Sequence, residues 1–567
     1  MLPLTAFLWK ETEKPAELCC YVSGRSLANF NVRIFAHEGT PAADHITGRP
    51  IRSHDQSASI IAQFKSWADD CKDNHAECRN GICGSELLAE PLLPTRVLDV
   101  GSSKHHETEP IRLIISEGKR AAYVALSHCW GGKDHHPITT TRATLQGRLE
   151  QIKISALSKT FREAVAVTRG LGIRYLWIDT LCIIQNDEGL EDWAQEADKM
   201  GAYYEQAFCV LSATAAPNGD IGLFTNHPPV QAVRMDCDPG KESSGHYYIA
   251  SPDPDRFKEV ELSPLNRRGW VFQEYVLGRR RIHCALGQVY WECSHHFAAE
   301  DGTSQNPATW TIGLRLALSD NREGFLRFHA WWRASIGRYS SCGLTYGSDK
   351  LPALLGVANR IMETAPSLRF VSGHWRDRER GMEQSLLWHP TEGRFLQRPR
   401  DQGGLEIQRA PSWSWASLDG PVEFATSWNE KDDAVLDLAI TDINESTTSG
   451  LPACCPLTVT GVLKKACRSA NYTSHYDGFL FAEQRSFDVV EPSGAMAGTV
   501  LFDCHDDQPF DFLCAPVTSV GSRGRLSLAL TSVDSNGSDQ VYRRIGVVKI
   551  KDDSWFAGRE PLSFFIV

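Results

Sequence analysis

Long apolar runs are missing from this chain. No stretch of its 567 residues approaches the roughly 18 consecutive apolar residues that a membrane-spanning helix needs. The first residues, MLPLTAFLWKETEK, lack the basic region of a secretory signal, and their apolar stretch ends at Lys10. We therefore expect a cytoplasmic protein with no membrane span.

Positive charge is also scarce. Lysine and arginine number 59 against 70 aspartates and glutamates, which gives a net charge of −11 at pH 7. A negative surplus opposes general attraction to nucleic acids and anionic lipids, so we expect neither as a partner. The short basic run Arg279 to Arg281 is expected to be the solvated start of a strand.

Common nucleotide-binding and metal-binding signatures are absent. Gly131-Gly132-Lys133 lacks the full spacing of a phosphate-binding loop, and no G-x-G-x-x-G opens a helix after a strand. Adjacent histidines diverge on a strand, so the pairs are expected in surface loops rather than in metal sites. These pairs are His105–His106, His135–His136 and His295–His296.

Cysteine, by contrast, is plentiful. The seventeen cysteines are an odd number scattered through a large chain, which is typical of reduced thiols in an intracellular protein. Cys71, His75 and Cys78 fall at i, i+4 and i+7 of an amphipathic pattern from Ala58 to Cys78, and Cys83 follows. These four residues could hold zinc, but their spacing matches no standard zinc motif. A structural role in a helix is favoured, no metal is predicted, and metal binding stays open.

The most informative stretch runs from Leu171 to Asp187. Ile173 to Ile178 is a β-branched and aromatic run typical of a strand covered on both faces. Gly172 just before it suits the end of a helix. Asp179 follows at the carboxyl end of the strand, where open α/β sheets bind ligands. The alternative is that Asp179 only caps the turn.

Strands and helices alternate around this stretch. The pattern predicts strands at Ala121–His128, Ile173–Ile178 and Phe208–Ala213, separated by a helix capped by Ser158 and a helix with the face Trp193, Ala197 and Met200. This order is typical of a doubly wound parallel sheet in an α/β protein. Residues 214–262 are an insertion with a predicted hairpin near Tyr247–Ala250.

The remaining chain is less uniform. We predict an N-terminal α+β segment at 1–112, the α/β domain at 113–300, a mainly helical segment at 301–420 and an antiparallel β-rich C-terminal domain at 421–567. The strict alternation from Ala410 to Ser417 predicts a strand.

Three sequence blocks together resemble the fungal heterokaryon incompatibility (HET) domain. They are YVALSHCWG at 123–131, LWIDTLCIIQ at 176–185 and RGWVFQE at 268–274. The resemblance implies a role in non-self recognition and programmed cell death after fusion of unlike cells. Its implied partners are other incompatibility or signalling proteins and further copies of the chain.

The HET family is in turn similar to Toll/interleukin-1 receptor (TIR) domains, which are flavodoxin-like and include NAD-cleaving enzymes. In those relatives a catalytic glutamate lies in a helix after the third strand, and the matching position here is Glu274. The resemblance thus implies a flavodoxin/TIR-like sheet, although the insertion 214–262 departs from the pattern.

Two functional hypotheses follow. In the first, the domain is a non-catalytic module for signalling or assembly. In the second, the domain is an enzyme that either cleaves NAD or acts in another fungal pathway. NAD would then be the substrate, and no other cofactor is predicted. Breaking the nicotinamide–ribose bond calls for a carboxylate near the ribose, so Glu274 and Asp179 are the catalytic candidates. The binding candidates are Ser127, His128, Trp130, Trp270 and Gln273.

Overall fold

The computed structural model divides into two compact units, residues 1–312 and 313–567. It describes residues 4–9, 16–22, 25–80, 90–101, 110–185, 191–225, 231–236, 245–251, 255–305, 322–377, 382–391, 394–401, 403–425, 436–443, 455–473, 486–491, 494–519, 524–533 and 540–567. The predicted four-part division of the chain stays a prediction.

The first unit contains a small sheet and a large sheet with flanking helices. Its elements in chain order are β1 (Leu4–Trp9), β2 (Ala16–Val22), β3 (Arg25–Phe35), α1 (Ser57–Asn74), β4 (Arg96–Asp99), β5 (Arg112–Ile115), β6 (Tyr123–Ser127), α2 (Arg142–Glu150), α3 (Lys159–Gly170), β7 (Tyr175–Trp177), α4 (Asp179–Cys182), α5 (Glu191–Gln206), β8 (Cys209–Ser212), β9 (Ala232–Asp236), β10 (His246–Ala250), α6 (Val271–Leu277), β11 (Arg280–Cys284), β12 (Val289–Cys293), β13 (Phe297–Ala299) and β14 (Ser304–Gln305).

The large sheet has the order β14-β13-β12-β11-β8-β6-β7-β4-β5. Strands β7, β6, β8 and β11 are parallel, so the three predicted strands do share one sheet. The neighbours β4 and β12 are antiparallel to them. The sheet is therefore mixed, and the expectation of a parallel sheet is correct only for its centre. A doubly wound, TIR-like fold is not confirmed by this order.

Local sequence signals explain the centre of the sheet. Ser158 caps α3 by accepting a hydrogen bond from the backbone N–H of Phe161 at 3.3 Å, as predicted. Gly172 follows the helix with a φ of +79°, a conformation that is cheap only for glycine. All five residues of β6 are buried, because strands pair on both its edges and the core covers both its faces.

The insertion contains the predicted hairpin. Strands β9 and β10 pair antiparallel, and β10 also pairs with β3 from the start of the chain. The small sheet therefore has the order β1-β2-β3-β10-β9. The insertion thus extends a sheet formed by residues that lie more than 200 positions earlier.

The second unit begins with helices and ends in a barrel. Its elements are α7 (Arg322–Ser340), α8 (Pro352–Thr364), β15 (Arg369–Val371), β16 (His374–Arg376), β17 (Trp388–Pro390), β18 (Val422–Phe424), β19 (Ala439–Ile443), β20 (Leu457–Gly461), β21 (Lys464–Thr473), β22 (Ser486–Val490), β23 (Met496–Phe502), β24 (Asp511–Ser519), β25 (Arg525–Ser532), β26 (Val541–Ile550) and β27 (Leu562–Ile566). Strands β21 to β26 close on themselves in the order β26-β23-β22-β21-β24-β25, because β25 pairs again with β26. The β-rich C-terminal prediction is confirmed. Among the described residues of the middle segment, α7 and α8 are accompanied by short 3-10 helices and by the strands β15, β16 and β17.

The strand predicted at Ala410–Ser417 is wrong. This stretch forms a turn and a 3-10 helix at Trp415–Ser417, which begins where the Ser414 hydroxyl accepts the Ala416 N–H at 3.0 Å. The indoles of Trp413 and Trp415 are buried and donate to backbone carbonyls at 2.8 and 3.0 Å. Side chains that bond the local backbone compete with strand formation, and here they prevail over the alternation of residue types.

The predicted solvation of Arg279–Arg281 is also wrong, since all three arginines are buried. Arg281 pairs with Glu292 across β11 and β12 at 3.0 Å, with side chains 1% and 0% exposed. Tyr275 and His283 also bond this carboxylate at 3.0 and 3.1 Å. Burial alone raises the pKa of Glu292, but Arg281 and His283 lower it well below its usual value.

Within the part of the chain that the structure describes, no helix combines the length and apolar character needed to cross a membrane.

We expect Glu292→Gln to lower the free energy of unfolding by about 3 to 5 kcal/mol, because it removes the negative charge that faces the buried Arg281 guanidinium. Denaturant unfolding of the full chain measures the change. Asp69→Asn is the matched control, since it breaks a 2.8 Å pair with Lys65 whose side chains are half exposed. Its effect should stay below about 1 kcal/mol, and equal effects of the two changes would contradict this account.

Candidate functional site

Polar residues gather at the carboxyl end of β6. Ser127 ends this strand and lies in register with Ser212 at the end of β8. Both side chains are buried, and Ser127 is 2% exposed. Parallel strands bring their carboxyl ends to one edge of a sheet, so residues that follow β6, β7 and β8 can meet there.

Asp179 joins the loops that follow β6 and β7. Its side chain accepts a hydrogen bond from Trp130 Nε1 at 2.8 Å and from the Thr180 N–H at 2.7 Å. Asp179 is also the first residue of the short helix α4. Asp179 therefore begins a helical turn, which agrees with the alternative that it caps the turn after the strand. It also accepts a hydrogen bond from Trp130, which lies in the loop after β6.

His128 is buried and lies close to Asp179. Its Nδ1 is 3.6 Å from an Asp179 carboxylate oxygen, and its ring packs edge-on against Phe161. Burial lowers the pKa of His128 to about 4, although Asp179 opposes the change. His128 is therefore neutral at pH 7 and has one ring N–H and one acceptor nitrogen.

Glu274 reaches the same place from α6. It is 4% exposed, and burial raises its pKa from the ordinary value of 4.5 to about 7. The charge of Arg268 and the nearby hydroxyls of Ser127 and Tyr204 oppose this rise, whereas Asp179 adds to it. Near pH 7 the Glu274 carboxyl thus exchanges readily between its neutral and charged forms.

Arg268 and Tyr204 belong to this cluster but were not among the predicted site residues. Arg268 donates from Nη1 to the backbone carbonyl of His128 and interacts electrostatically with Glu274. Tyr204 is fully buried and donates to the carbonyl of Leu126 at 3.4 Å. Arg268 is the first residue of the RGWVFQE block at 268–274, and this position is the sequence signal that could have identified it as a site residue. Tyr204 follows Met200 by four residues and so continues the predicted helix face of Trp193, Ala197 and Met200, which gave no sign of a role in the site.

Several buried polar atoms of the cluster lack a hydrogen-bond partner among the described residues. They are Ser127 Oγ, both ring nitrogens of His128, Glu274 Oε2, and the side-chain oxygen and nitrogen of Gln273. The Ser127 hydroxyl is thus close enough to Glu274 to influence its pKa without forming a hydrogen bond of ordinary geometry. Unpaired buried polar groups are costly, and they are concentrated where proteins bind ligands or do chemistry.

The structure therefore brings together five predicted residues, namely Ser127, His128, Trp130, Asp179 and Glu274. Trp270 instead packs edge-on against Trp193 at 5.8 Å. Gln273 is buried and precedes Glu274 in the sequence, and neither polar atom of its side chain has a hydrogen-bond partner among the described residues. The catalytic and binding roles of all seven residues stay predictions.

The arrangement offers a titratable carboxyl, a cation and neutral hydrogen-bonding groups at one sheet edge. A carboxylate of raised pKa can accept a proton or stabilise positive charge near pH 7. The half-buried Arg268 can balance an anionic group. This set can form hydrogen bonds with polar groups and can balance negative charge.

We expect Glu274→Gln to stabilise the fold above pH 7. The folded protein holds the Glu274 proton up to about pH 7, whereas the unfolded chain releases it near pH 4.5. Stability therefore falls as the pH rises between these values and the loss is complete above them. At about 1.4 kcal/mol per pKa unit, the variant should gain about 3 kcal/mol at pH 8 and almost nothing at pH 4. Denaturant unfolding at both pH values measures the difference.

Glu196→Gln is the matched control for that measurement. Glu196 is equally buried, but its carboxylate accepts hydrogen bonds from Thr95, Lys199 and Tyr203 at 2.8 to 2.9 Å. Removing this charge should destabilise the protein. Stabilisation by both variants, or by neither, would show that the burial of the Glu274 charge does not determine its effect on the free energy of unfolding.

Comparison with known proteins identifies the domain that holds this cluster. A search of curated proteins and a search of solved structures each found no match. Among protein families, the one described as heterokaryon incompatibility protein (HET) matches residues 123–274. The match begins at the first residue of β6 and ends at Glu274 within α6, so it contains every residue of the cluster. The cluster therefore lies in a segment, residues 123–274, that is similar to the heterokaryon incompatibility (HET) family.

Proposed function

We propose that this protein acts in heterokaryon incompatibility as a trigger of programmed cell death, and that its HET domain does so by cleaving NAD. The observation that carries the proposal is the buried Glu274 carboxyl near the carboxyl end of β6, whose Oε2 has no hydrogen-bond partner among the described residues. The HET match itself supports the incompatibility role. The NAD-cleaving step rests on the chemistry of the cluster.

The position of the cluster supports ligand binding. The parallel strands run in the spatial order β7-β6-β8-β11, so the first strand lies between the second and the third. Flavodoxin-like sheets have this order and bind their ligand where the order reverses, between the first and third strands. Ser127 and Ser212 are the terminal residues of those two strands here. This likeness also supports a flavodoxin/TIR-like origin of the domain.

The proposed reaction is hydrolysis of the bond between nicotinamide and ribose. As the C1′–N bond breaks, its electron pair moves to the nicotinamide nitrogen and positive charge develops on the ribose. The Glu274 carboxylate stabilises that charge, and water adds at C1′ to give ADP-ribose and a released proton. Asp179 would assist electrostatically through its interaction with Glu274.

The other candidates would bind the dinucleotide. The indole faces of Trp130 and Trp270 can stack on a base, and both side chains are half-buried. The unpaired atoms of Ser127, His128 and Gln273 can bond hydroxyl or phosphate oxygens. No resident cofactor is needed for this chemistry, because NAD is itself the substrate.

Burial favours a second candidate function, a non-catalytic role in signalling or assembly. Ser127, His128 and Glu274 are only 2 to 4% exposed, so a ligand reaches them only after local opening. In this alternative the polar cluster acts as an internal switch. The domain would act through its surface on other incompatibility or signalling proteins in the cytoplasm, or on further copies of itself.

We expect purified protein to release nicotinamide from NAD, and Glu274→Gln to lower the rate by about 100-fold or more, because the amide cannot carry the stabilising charge. Chromatographic measurement of nicotinamide tests this. Glu196→Gln, outside the cluster, should keep the rate within a few-fold. A wild-type protein that binds NAD but leaves it intact for hours would rule out the enzymatic proposal.

The pH profile and a cell assay provide independent tests. Because Glu274 acts in its charged form, kcat/KM should rise about tenfold per pH unit below pH 7 and level off above. In cells, Glu274→Gln should abolish both NAD loss and cell death. If the variant still kills cells while NAD stays intact, the assembly alternative is supported instead.

A further inference from the structure

A second cluster of reactive side chains lies in the first unit, apart from Glu274. The thiols of Cys71, Cys78 and Cys293 and the imidazole of His75 each offer a ligand atom, and these atoms all lie within 4.8 Å of one another. All four side chains are buried, and each of the three cysteines is free of disulfide bonds. The sequence separates Cys293 from the other three by more than 200 residues.

The end of α1 explains how the first three ligands converge. The helix ends at Asn74, and His75 is extended before a short 3-10 helix at Ala76–Arg79. Cys78 therefore leaves the helical line, which corrects the expectation that Cys71, His75 and Cys78 share one helix face. Cys293 arrives as the last residue of β12. Cys83, the fourth candidate from the sequence, lies outside the described residues.

The donor set suits zinc. Three thiolates and one imidazole form a common structural zinc site, in which tetrahedral coordination at about 2.3 Å places sulphur atoms about 3.8 Å apart. The spread of the donor atoms here requires only small side-chain adjustments to reach that geometry. Four protein ligands fill the tetrahedral shell, so the metal would have a structural rather than a catalytic role.

The surroundings also suit a metal-bound state. The Nδ1 atom of His75 is 3.6 Å from the Cys293 sulphur, while its Nε2 is 3.5 Å from the Asp70 carboxylate. A ligand histidine commonly donates its other ring N–H to a carboxylate in this way, which fixes the tautomer and the ring orientation.

Arg280 is a further charged residue in contact with the candidate metal ligands. Its Nε donates to the Cys71 sulphur at 3.1 Å, and its Nη2 donates to the Cys78 carbonyl at 3.3 Å. Three thiolates around one Zn²⁺ leave one net negative charge, which the buried Arg280 guanidinium can balance. This contact gives a reason for burying an arginine at the start of β11.

We propose that Cys71, His75, Cys78 and Cys293 bind one structural zinc ion. The metal joins the end of α1 to the antiparallel side of the large sheet, at the end of β12. His295 and His296 pack against the His75 ring, with centroids 4.2 and 4.9 Å away, and hold it in place. The site depends neither on Glu274 nor on NAD cleavage.

The direct test is the metal content of the full, untagged chain purified under reducing conditions. We expect about one zinc per chain by elemental mass spectrometry, and an X-ray absorption spectrum that fits three sulphur ligands and one nitrogen ligand. Removing zinc with a chelator should lower the melting temperature, and added Zn²⁺ should restore it. Folded, fully reduced protein that neither contains zinc nor takes it up would overturn the proposal. A disulfide between any two of these cysteines in protein purified without reductant would also overturn it.

Variants separate a ligand role from a packing role. His75→Ala and Cys293→Ala should lose the zinc, whereas His75→Cys should keep it, because four cysteines also form stable zinc sites. Cys284→Ala is the matched control, since Cys284 is a buried cysteine of β11 outside the cluster, and it should retain one zinc per chain. Zinc retained at full stoichiometry in both His75→Ala and Cys293→Ala would refute the assigned ligands.

Discussion

The pairing of β6 with strands on both sides is the constraint on which the rest of the first unit depends. Because β7 and β8 hydrogen-bond to opposite edges of β6, the backbone of this strand is satisfied and both its faces can be covered by apolar residues. The same pairing fixes where β6 ends. Ser127 and His128 are thereby held in a buried position that polar residues would otherwise avoid, beside the carboxyl groups of Asp179 and Glu274.

Sequence reasoning was effective where a local signal agreed with the tertiary structure. Ser158 capped its helix, Gly172 followed the helix with positive φ, and the three apolar runs became neighbouring parallel strands. The convergence of Ser127, Asp179 and Glu274 was also predictable, because the rule for carboxyl ends of parallel strands requires only the strand order along the chain.

The misses share a physical cause, which is contact between residues far apart in the sequence. Cys293 joins Cys71 because β12 pairs with β11 at the edge of the sheet, and no local periodicity carries that information. The three arginines at 279–281 looked solvated because their partners, including Glu292, become apparent only in the folded sheet. At Trp413 and Trp415 the alternation was real, but the indoles donate to the backbone carbonyls of Cys455 and Gly373, each 42 residues away, and the alternation carries no information about these contacts.

The pairing of β10 with β3 ties the segment that matches the HET family to the start of the chain. The segment 123–274 is continuous as a family unit, yet it does not contain all the strands that cover its own edges. If it were excised, β10 would lose β3, β7 would lose β4, and β8 would lose β11, so three strand edges would become open at once. Open edges are templates for pairing with other chains. The matched segment is thus smaller than the unit that completes its strand pairing, because the flanking strands β3, β4 and β11 cover edges that would otherwise be open.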